Sequence, residues 1–280
     1  MSTPVRAPLD QPRLRELLTR AGYAHVDVVE TTGSTNTDLA DRVRVGEDLP
    51  DMTVLLAEEQ SAGRGRKGRS FGAPARSQII CSVLLRLTDV PADRIGLLPL
   101  LTGLSIAEGL PIAAQLKWPN DVIMGGRKLA GILVEAVHLQ PHPAVIIGFG
   151  INYDLQPGEI DVPHASSIAA EAGAQDVPDR TLVTADVLAQ LAVNLQRWRG
   201  LGGAPQTVLP RYRSICATLG TQVRAHLPGE KVLTGQAVDV DNEGELLVRG
   251  SDGTRHTVRA GEIVHLRPDG SGDYGPGVGA

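Results

Sequence analysis

Short apolar runs bounded by turn-forming residues alternate with amphipathic stretches over the first 218 positions. Leu14, Leu17 and Leu18 fall on one face at helical spacing, behind Asp10 and Pro12, which suit an N-cap and a first turn. A short strand is predicted over 26–29, then a helix that starts at Ser34 or Thr35 and buries Leu39, Ala40 and Val43. Strands follow over 53–57 and 78–87. A long helical pattern covers 91–110, with Pro99 placed to kink or divide it. Runs at 122–124 and 129–137 flank Gly125-Gly126, the signature of a hairpin, and 144–150 is a further apolar strand. Residues 154–180 are rich in Pro, Gly, Ala and Asp and predict mostly loop, with helices over 184–199 and 205–218.

The pattern changes near residue 220. From 222 to 266 short alternating runs are separated by Pro228-Gly229, Asn242-Glu243-Gly244 and Asp252-Gly253, the spacing of a small β-barrel. Beyond Pro268 the chain is nearly all Gly, Pro, Ser and Asp, a composition that predicts a disordered tail. The expected organisation is an N-terminal tail and helix (1–24), an α+β catalytic domain (25–218), a β-barrel domain (219–268) and a tail (269–280).

Composition narrows the function classes. Aromatics are only 3% of residues, so Val, Ile, Leu and Ala must fill the core. A net charge of -5 argues against a general nucleic-acid binder. Cys81 and Cys216 have no paired spacing and fit free thiols in a reducing compartment. There is neither a signal-peptide core nor an uninterrupted apolar run of about 18 residues, so the expected location is the cytoplasm, with no membrane partner. Among 27 basic residues only Lys67, Lys117, Lys128 and Lys231 are lysines. Three of them fall inside the segments that carry candidate chemistry, where a compact ammonium differs from a guanidinium.

The first such segment is Gly63-Arg64-Gly65-Arg66-Lys67-Gly68-Arg69. Four cations among three glycines suit a loop that closes on a phosphate or carboxylate, or else a solvated basic loop or nucleic-acid contact. It also fits G-x-G-x-x-G, but Gly72 and Pro74 stand where a dinucleotide-binding fold would begin its helix. The second is Lys117-Trp118-Pro119-Asn120-Asp121, a cation for phosphate oxygens with Asp121 and Asn120 as oxygen donors for a Mg²⁺ brought by ATP, or simply a turn. In the third, Arg127-Lys128-Leu129-Ala130-Gly131-Ile132-Leu133-Val134-Glu135, Lys128 opens an apolar strand, and the hairpin brings it near Asp121. The fourth, Gly33-Ser34-Thr35-Asn36, caps a helix and also presents N–H groups to a ligand. Gln60 precedes the basic loop, and Gly148-Phe149-Gly150-Ile151-Asn152 ends a strand in an amide.

In this order the five segments resemble the biotin protein ligase family: GSTN at 33–36, EEQSAGRGRKGR at 58–69, KWPND at 117–121, GRKLAGILVE at 126–135 and GFGIN at 148–152. The resemblance implies an α+β fold, a mixed β-sheet flanked by helices as in class II aminoacyl-tRNA synthetases and biotin ligases, followed by a small Src-homology-3-like barrel. It implies an enzyme that uses ATP and Mg²⁺ to activate biotin as biotinyl-AMP and then biotinylates one lysine of a biotin carboxyl carrier protein of acetyl-CoA carboxylase. Biotin is expected at Ser34, Thr35, Asn36, Gln60, Arg64, Gly65, Arg66, Lys128 and Gly131. ATP is expected at Arg64, Arg66, Lys117, Asn120 and Asn152, and the metal at Asp121 and Asn120. Arg64, Lys128 and Asp121 are the expected catalytic residues, with Asp121 also the candidate base for the acceptor lysine. About 30 residues precede the first motif, too few for the DNA-binding domain that some members carry, so no DNA partner is expected. Phe71 stands where the family often has Trp. The alternatives are a lipoate ligase, disfavoured by the hydroxyl and amide cluster at 34–36, and a nucleic-acid-binding protein.

Overall fold

A computed structural model describes residues 6–65, 72–139, 142–156, 158–160, 162, 164–173, 178–227, 231–259 and 262–265. Arg66, Lys67, Gly68, Arg69 and Phe71, the Pro228-Gly229 turn and the expected 269–280 tail lie outside the described residues.

The chain opens with α1 (Gln11–Arg20), whose N-terminus is closed by the Asp10 carboxylate accepting from Arg13 N at 3.1 Å. Leu14 and Leu18 are fully buried in the main core. β1 (His25–Thr32), α2 (Thr35–Arg44), β2 (Thr53–Gln60) and β3 (Gln78–Arg86) follow. Pro99 divides the helical pattern over 91–110. A 3₁₀ turn occupies Ala92–Leu97, and α3 (Leu98–Gly109) then starts with Pro99 in its first turn, where a missing N–H costs nothing. β4 (Gln115–Lys117), β5 (Asp121–Met124) and β6 (Arg127–His138) form consecutive hairpins. Gly125 and Gly126 both have positive φ (56° and 75°), which a two-residue turn matched to strand twist requires. β7 (Ala144–Asn152), α4 (Ile168–Ala172), α5 (Arg180–Arg199) and α6 (Leu209–Ile215) complete the first part. The expected 205–218 helix shrinks to α6 because Pro205 and Pro210 admit only short helical pieces.

β1 to β7 form one sheet in the order β1-β2-β3-β7-β6-β5-β4. β1 and β2 are parallel and the other neighbours antiparallel, so the sheet is mixed, as expected. One face carries Val54, Leu56, Cys81, Val83, Ile147, Phe149, Ala130 and Ile132 into a core shared with α1, α3 and α5. On the other face, among the described residues, α2 packs with Leu39 and Ala40 against Leu55, Leu84 and Ile146. The rest of that second face is the floor of the candidate site.

The C-terminal part is a five-stranded antiparallel sheet of β8 (Gln222–His226), β9 (Val232–Val240), β10 (Leu246–Gly250), β11 (Arg255–Val258) and β12 (Glu262–His265), in the order β11-β10-β9-β8-β12. It meets the larger sheet at the motif around Trp118. The Trp118 indole donates to Gly244 O at 3.0 Å and its backbone N–H to Thr218 Oγ1 at 3.0 Å. No helix among the described residues is long and apolar enough to cross a membrane.

Candidate active site

Cross-strand register sets the floor. Antiparallel partners point their side chains to the same face, and one row runs Lys117, Asp121, Gly131, Gly150, Ile80 across β4 to β3. The next row is Leu133, Gly148, Ser82, and on the other side lies Gln78 with Asn152. Gly131, Gly148 and Gly150 therefore leave the centre of this face as bare backbone, open to close approach by a ligand.

At one end of the floor the cations and the carboxylate converge. Lys128 and Gly131 are three positions apart and would point to opposite faces of a regular strand. A β-bulge removes the conflict, because the register passes from Val122↔Ala130 to Ile123↔Lys128 and leaves Leu129 extra. Leu129 and Ala130 both enter the core, and Lys128 turns to the face of Asp121. Its Nζ lies 2.6 Å from Asp121 Oδ1 as a charge–charge contact. Lys117, buried on β4, is the register partner of Asp121. The backbone of Lys128 is clasped on both sides: its N–H donates to His164 O at 2.8 Å and its carbonyl accepts from Ser166 N at 2.9 Å. Behind Asp121, burial first, and then Cys216 and Asp121 itself, push the Tyr212 phenol well above its ordinary pKa, so Tyr212 stays neutral.

Two of the expected ligand residues hold this end in shape. Asn152 Nδ2 donates to Ser166 O (2.8 Å) and Lys128 O (3.4 Å), while its Oδ1 accepts from Gln78 Nε2 (2.7 Å). Asn120 Nδ2 donates to Ile132 O at 2.9 Å and the Asn120 backbone carbonyl accepts from Ile132 N at 2.9 Å, so β6 fixes how this side chain is oriented.

The other end is built at the N-terminus of α2. Ser34 caps the helix, its Oγ 3.5 Å from Thr37 N. Thr35 N and Oγ1 lie 2.9 and 3.1 Å from Gln60 Oε1. Ser82 Oγ reaches both Thr35 Oγ1 (2.7 Å) and Asn36 Oδ1 (2.6 Å), and Asn36 Nδ2 donates to Glu135 Oε2 (2.7 Å) and Leu133 O (3.3 Å). Gly148 is required here. A Cβ on it would sit 2.0 Å from Asn36 Oδ1. The basic segment leaves β2 beside this cluster, tied by Ser61 N to Thr32 O and Ala62 N to Gly33 O, both 2.9 Å. Arg64 is exposed and Gly65 half-buried, and Arg66 lies outside the described residues.

Sequence reasoning passed over Ser82 and gave Glu135, the last residue of the third segment, no role. Ser82 is the one polar side chain within the apolar run 79–85 and is fully buried. That was the available signal. It also grouped Glu58 with the basic loop. In the structure Glu58 is 2% exposed, bonds Leu9 N at 2.7 Å and pairs with Arg180, so it ties the start of the chain to α5. Among the described residues no cluster of three or more His, Cys, Asp or Glu could hold a metal ion. A cation here would have one carboxylate, Asp121, which suits Mg²⁺ arriving on phosphates better than a resident ion.

Residues 28–152 match the biotin/lipoate A/B protein ligase family and residues 218–266 match the biotin protein ligase C-terminal domain. The chain is 41% identical to a biotin–[acetyl-CoA-carboxylase] ligase of Mycobacterium tuberculosis over 94% of its length and 98% of the relative's. A ligase of the same description from Paracoccus denitrificans is 31% identical, with 83% and 97% covered. Among solved structures, the biotin protein ligase of Aquifex aeolicus in complex with biotin and ATP superposes with a TM-score of 0.70 at 27% identity, over 86% of this chain and 98% of that one.

Proposed function

The chain belongs to the biotin protein ligase family, and on that premise we propose that it joins biotin to ATP and then transfers biotin to a lysine of a biotin carboxyl carrier protein of acetyl-CoA carboxylase, in the cytoplasm. The first part of the chain (25–218) is the catalytic unit and 219–268 the C-terminal domain.

The ureido ring of biotin has one carbonyl and two N–H donors. The cluster of Ser34, Thr35, Asn36 and Gln60 supplies matching hydroxyls and amides, and a buried polar group left unpaired there costs about 1–3 kcal/mol. From that anchor the acid extends over the glycine floor at Gly131 and Gly150 towards Lys128. In the first step a biotin carboxylate oxygen attacks the α-phosphorus of ATP, the bond to the bridging β-phosphate oxygen breaks, and pyrophosphate leaves. Two anions must meet, so positioned cations lower the barrier. Lys128, Arg64 and Arg66 take the carboxylate and α-phosphate, and Lys117 takes the phosphates. Asn120 and Asp121 would hold a Mg²⁺ carried by the nucleotide, whose charge screens the same repulsion. Asn152 supports the group by holding the Lys128 backbone. The glycine-rich basic segment 63–69 folds over the mixed anhydride and keeps water from it. In the second step Asp121, when it holds no metal ion, takes one proton from the carrier lysine's ammonium; the neutral amine attacks the acyl carbon, AMP departs with the bond it breaks, and the second amine proton passes to solvent.

The observation that carries this reading is the shared face: Lys128 against Asp121 at one end, the hydroxyl–amide cluster at the other, and bare glycine backbone between. ATP–pyrophosphate exchange tests it. Exchange that depends on biotin is expected; exchange that needs lipoate instead, or no exchange with either acid, refutes it.

A further inference from the structure

The hydrogen-bonding cluster at the N-terminus of α2 has a direction, and that direction can be worked out by counting protons. The Asn36 amide nitrogen faces two groups that can only accept, the Glu135 carboxylate at 2.7 Å and the Leu133 carbonyl at 3.3 Å. Its oxygen therefore faces Ser82. Ser82 Oγ lies 2.6 Å from that oxygen. The oxygen cannot donate, so the single proton of Ser82 goes to it. Ser82 Oγ is also 2.7 Å from Thr35 Oγ1. With the Ser82 proton already committed, Thr35 must be the donor in this contact. The other neighbour of Thr35 Oγ1, Gln60 Oε1 at 3.1 Å, accepts from Thr35 N at 2.9 Å and is likewise an acceptor. The Thr35 proton thus points into the protein by either route, and the oxygen offers only lone pairs outward.

We propose that Glu135, Asn36 and Ser82 form a polarised relay that holds Thr35 as a pure acceptor, so that this site selects an acid whose ring presents an N–H to Thr35. Glu135 and Ser82 are positioning residues for specificity. Glu135 sets the direction because a carboxylate cannot donate, and Ser82 transmits it. Gly148 belongs to the same device, since a Cβ there would displace the Asn36 oxygen. The inference rests on the reading that biotin is the acid bound at this cluster, and it extends that reading to two residues with no assigned role.

The test compares biotin with its two cyclic carbamate analogues, in each of which one ureido N–H is replaced by a ring oxygen of similar size. Affinities are measured by calorimetry on the full chain. One analogue is expected to bind wild type at least about tenfold more weakly than biotin, a difference worth about 1.4 kcal/mol, because its oxygen meets the Thr35 lone pairs. In Glu135→Gln the side chain can donate as well as accept. The Asn36 nitrogen is then held towards that side only by Leu133 O, at 3.3 Å, so Asn36 can turn over and the relay can reverse. Ser82 then donates to Thr35, whose proton is left to choose between Gln60 Oε1 at 3.1 Å and an acceptor on the ligand, so the preference should fall to within about threefold. Ser82→Ala removes the link and should lower the preference in the same direction. Glu135 is exposed, so the Gln variant decides the matter if the buried Ala variant does not fold. An unchanged preference in a folded Glu135→Gln protein that still binds biotin overturns the relay alone. A wild-type chain that binds no biotin overturns the functional reading and the relay with it.

Discussion

Lys128 and Asp121 sit on adjacent strands with Nζ 2.6 Å from Oδ1, and they share a face only because Leu129 is an extra residue in β6. Each restrains the other: the contact fixes where both side chains point on the floor of the site. Lys128→Ala should lower biotin-dependent pyrophosphate exchange by at least about 100-fold, the scale of removing one positioned charge-stabilising donor. The melting temperature should change little, because the Lys128 side chain is partly exposed. Exchange at the wild-type rate would remove Lys128 from the adenylation site.

The close approach at Gly148 makes a second prediction. Gly148→Ala places a methyl group where Asn36 Oδ1 now stands. Overpacking of this kind costs about 1–3 kcal/mol of stability, and the displaced amide breaks the hydroxyl cluster. Calorimetry should show weaker biotin binding, while ATP binding at the Lys128 end is retained. Equal loss of both ligands would mean that the sheet itself has failed.

The sequence made the separate pieces of this site legible more readily than their assembly. Its turn signals marked the Gly125-Gly126 hairpin, so nearness of Asp121 and Lys128 could be expected. The bulge at Leu129 could not, because a one-residue register change leaves no mark in apolar spacing when the inserted residue is as apolar as its neighbours. Ser82 was hidden for a related reason: β3 is buried on both faces, so it reads as continuous apolar sequence with no alternation to show which positions face the site. The five segments in order were recognisable as a set, whereas the partner of Glu58 lay 122 positions away at Arg180, a pairing that no local pattern encodes.

That pair gives a stability prediction. Both side chains are almost completely buried, and each has further hydrogen bonds, Glu58 to Leu9 N and Arg180 to Gln78 O at 3.0 Å. Removing one member of such a pair leaves a buried charge uncompensated and costs about 3–5 kcal/mol. Arg180→Ala should therefore shift the denaturant midpoint strongly downward. The double variant Glu58→Gln/Arg180→Met should recover part of the loss. A midpoint for Arg180→Ala within error of wild type would show that the contact contributes nothing.

Both thiols are shielded from chemistry. Burial pushes the pKa of Cys81 and of Cys216 upward from the ordinary thiol value. A thiol-specific chromogenic reagent at pH 8 should label neither in the native protein and both after unfolding. The linkage has a definite sign: the native state holds its thiol protons while the unfolded chain releases them. These groups therefore cost no stability below about pH 8.5, and they progressively lower it as the pH rises past that value. Rapid native labelling of either cysteine would place it at the surface.

Trp118 provides the last test, because it joins the two sheets at the segment carrying Asn120 and Asp121. Its indole N–H donates to Gly244 O in the turn between β9 and β10, and both groups are out of reach of solvent on the indole side, where Trp118 is 2% exposed. Trp118→Phe keeps most of the apolar volume but orphans that carbonyl, at a cost of about 1–3 kcal/mol. The effect on activity should be uneven. Asp121 and Lys117 flank Trp118 in the same hairpin, whereas the ureido cluster is held by α2 and β3 at the opposite end of the floor. Steady-state exchange should therefore show a lower kcat with a KM for biotin close to wild type. A raised KM at unchanged kcat would mean that the C-terminal sheet acts on biotin binding, and the coupling through the Trp118 hairpin would have to be abandoned.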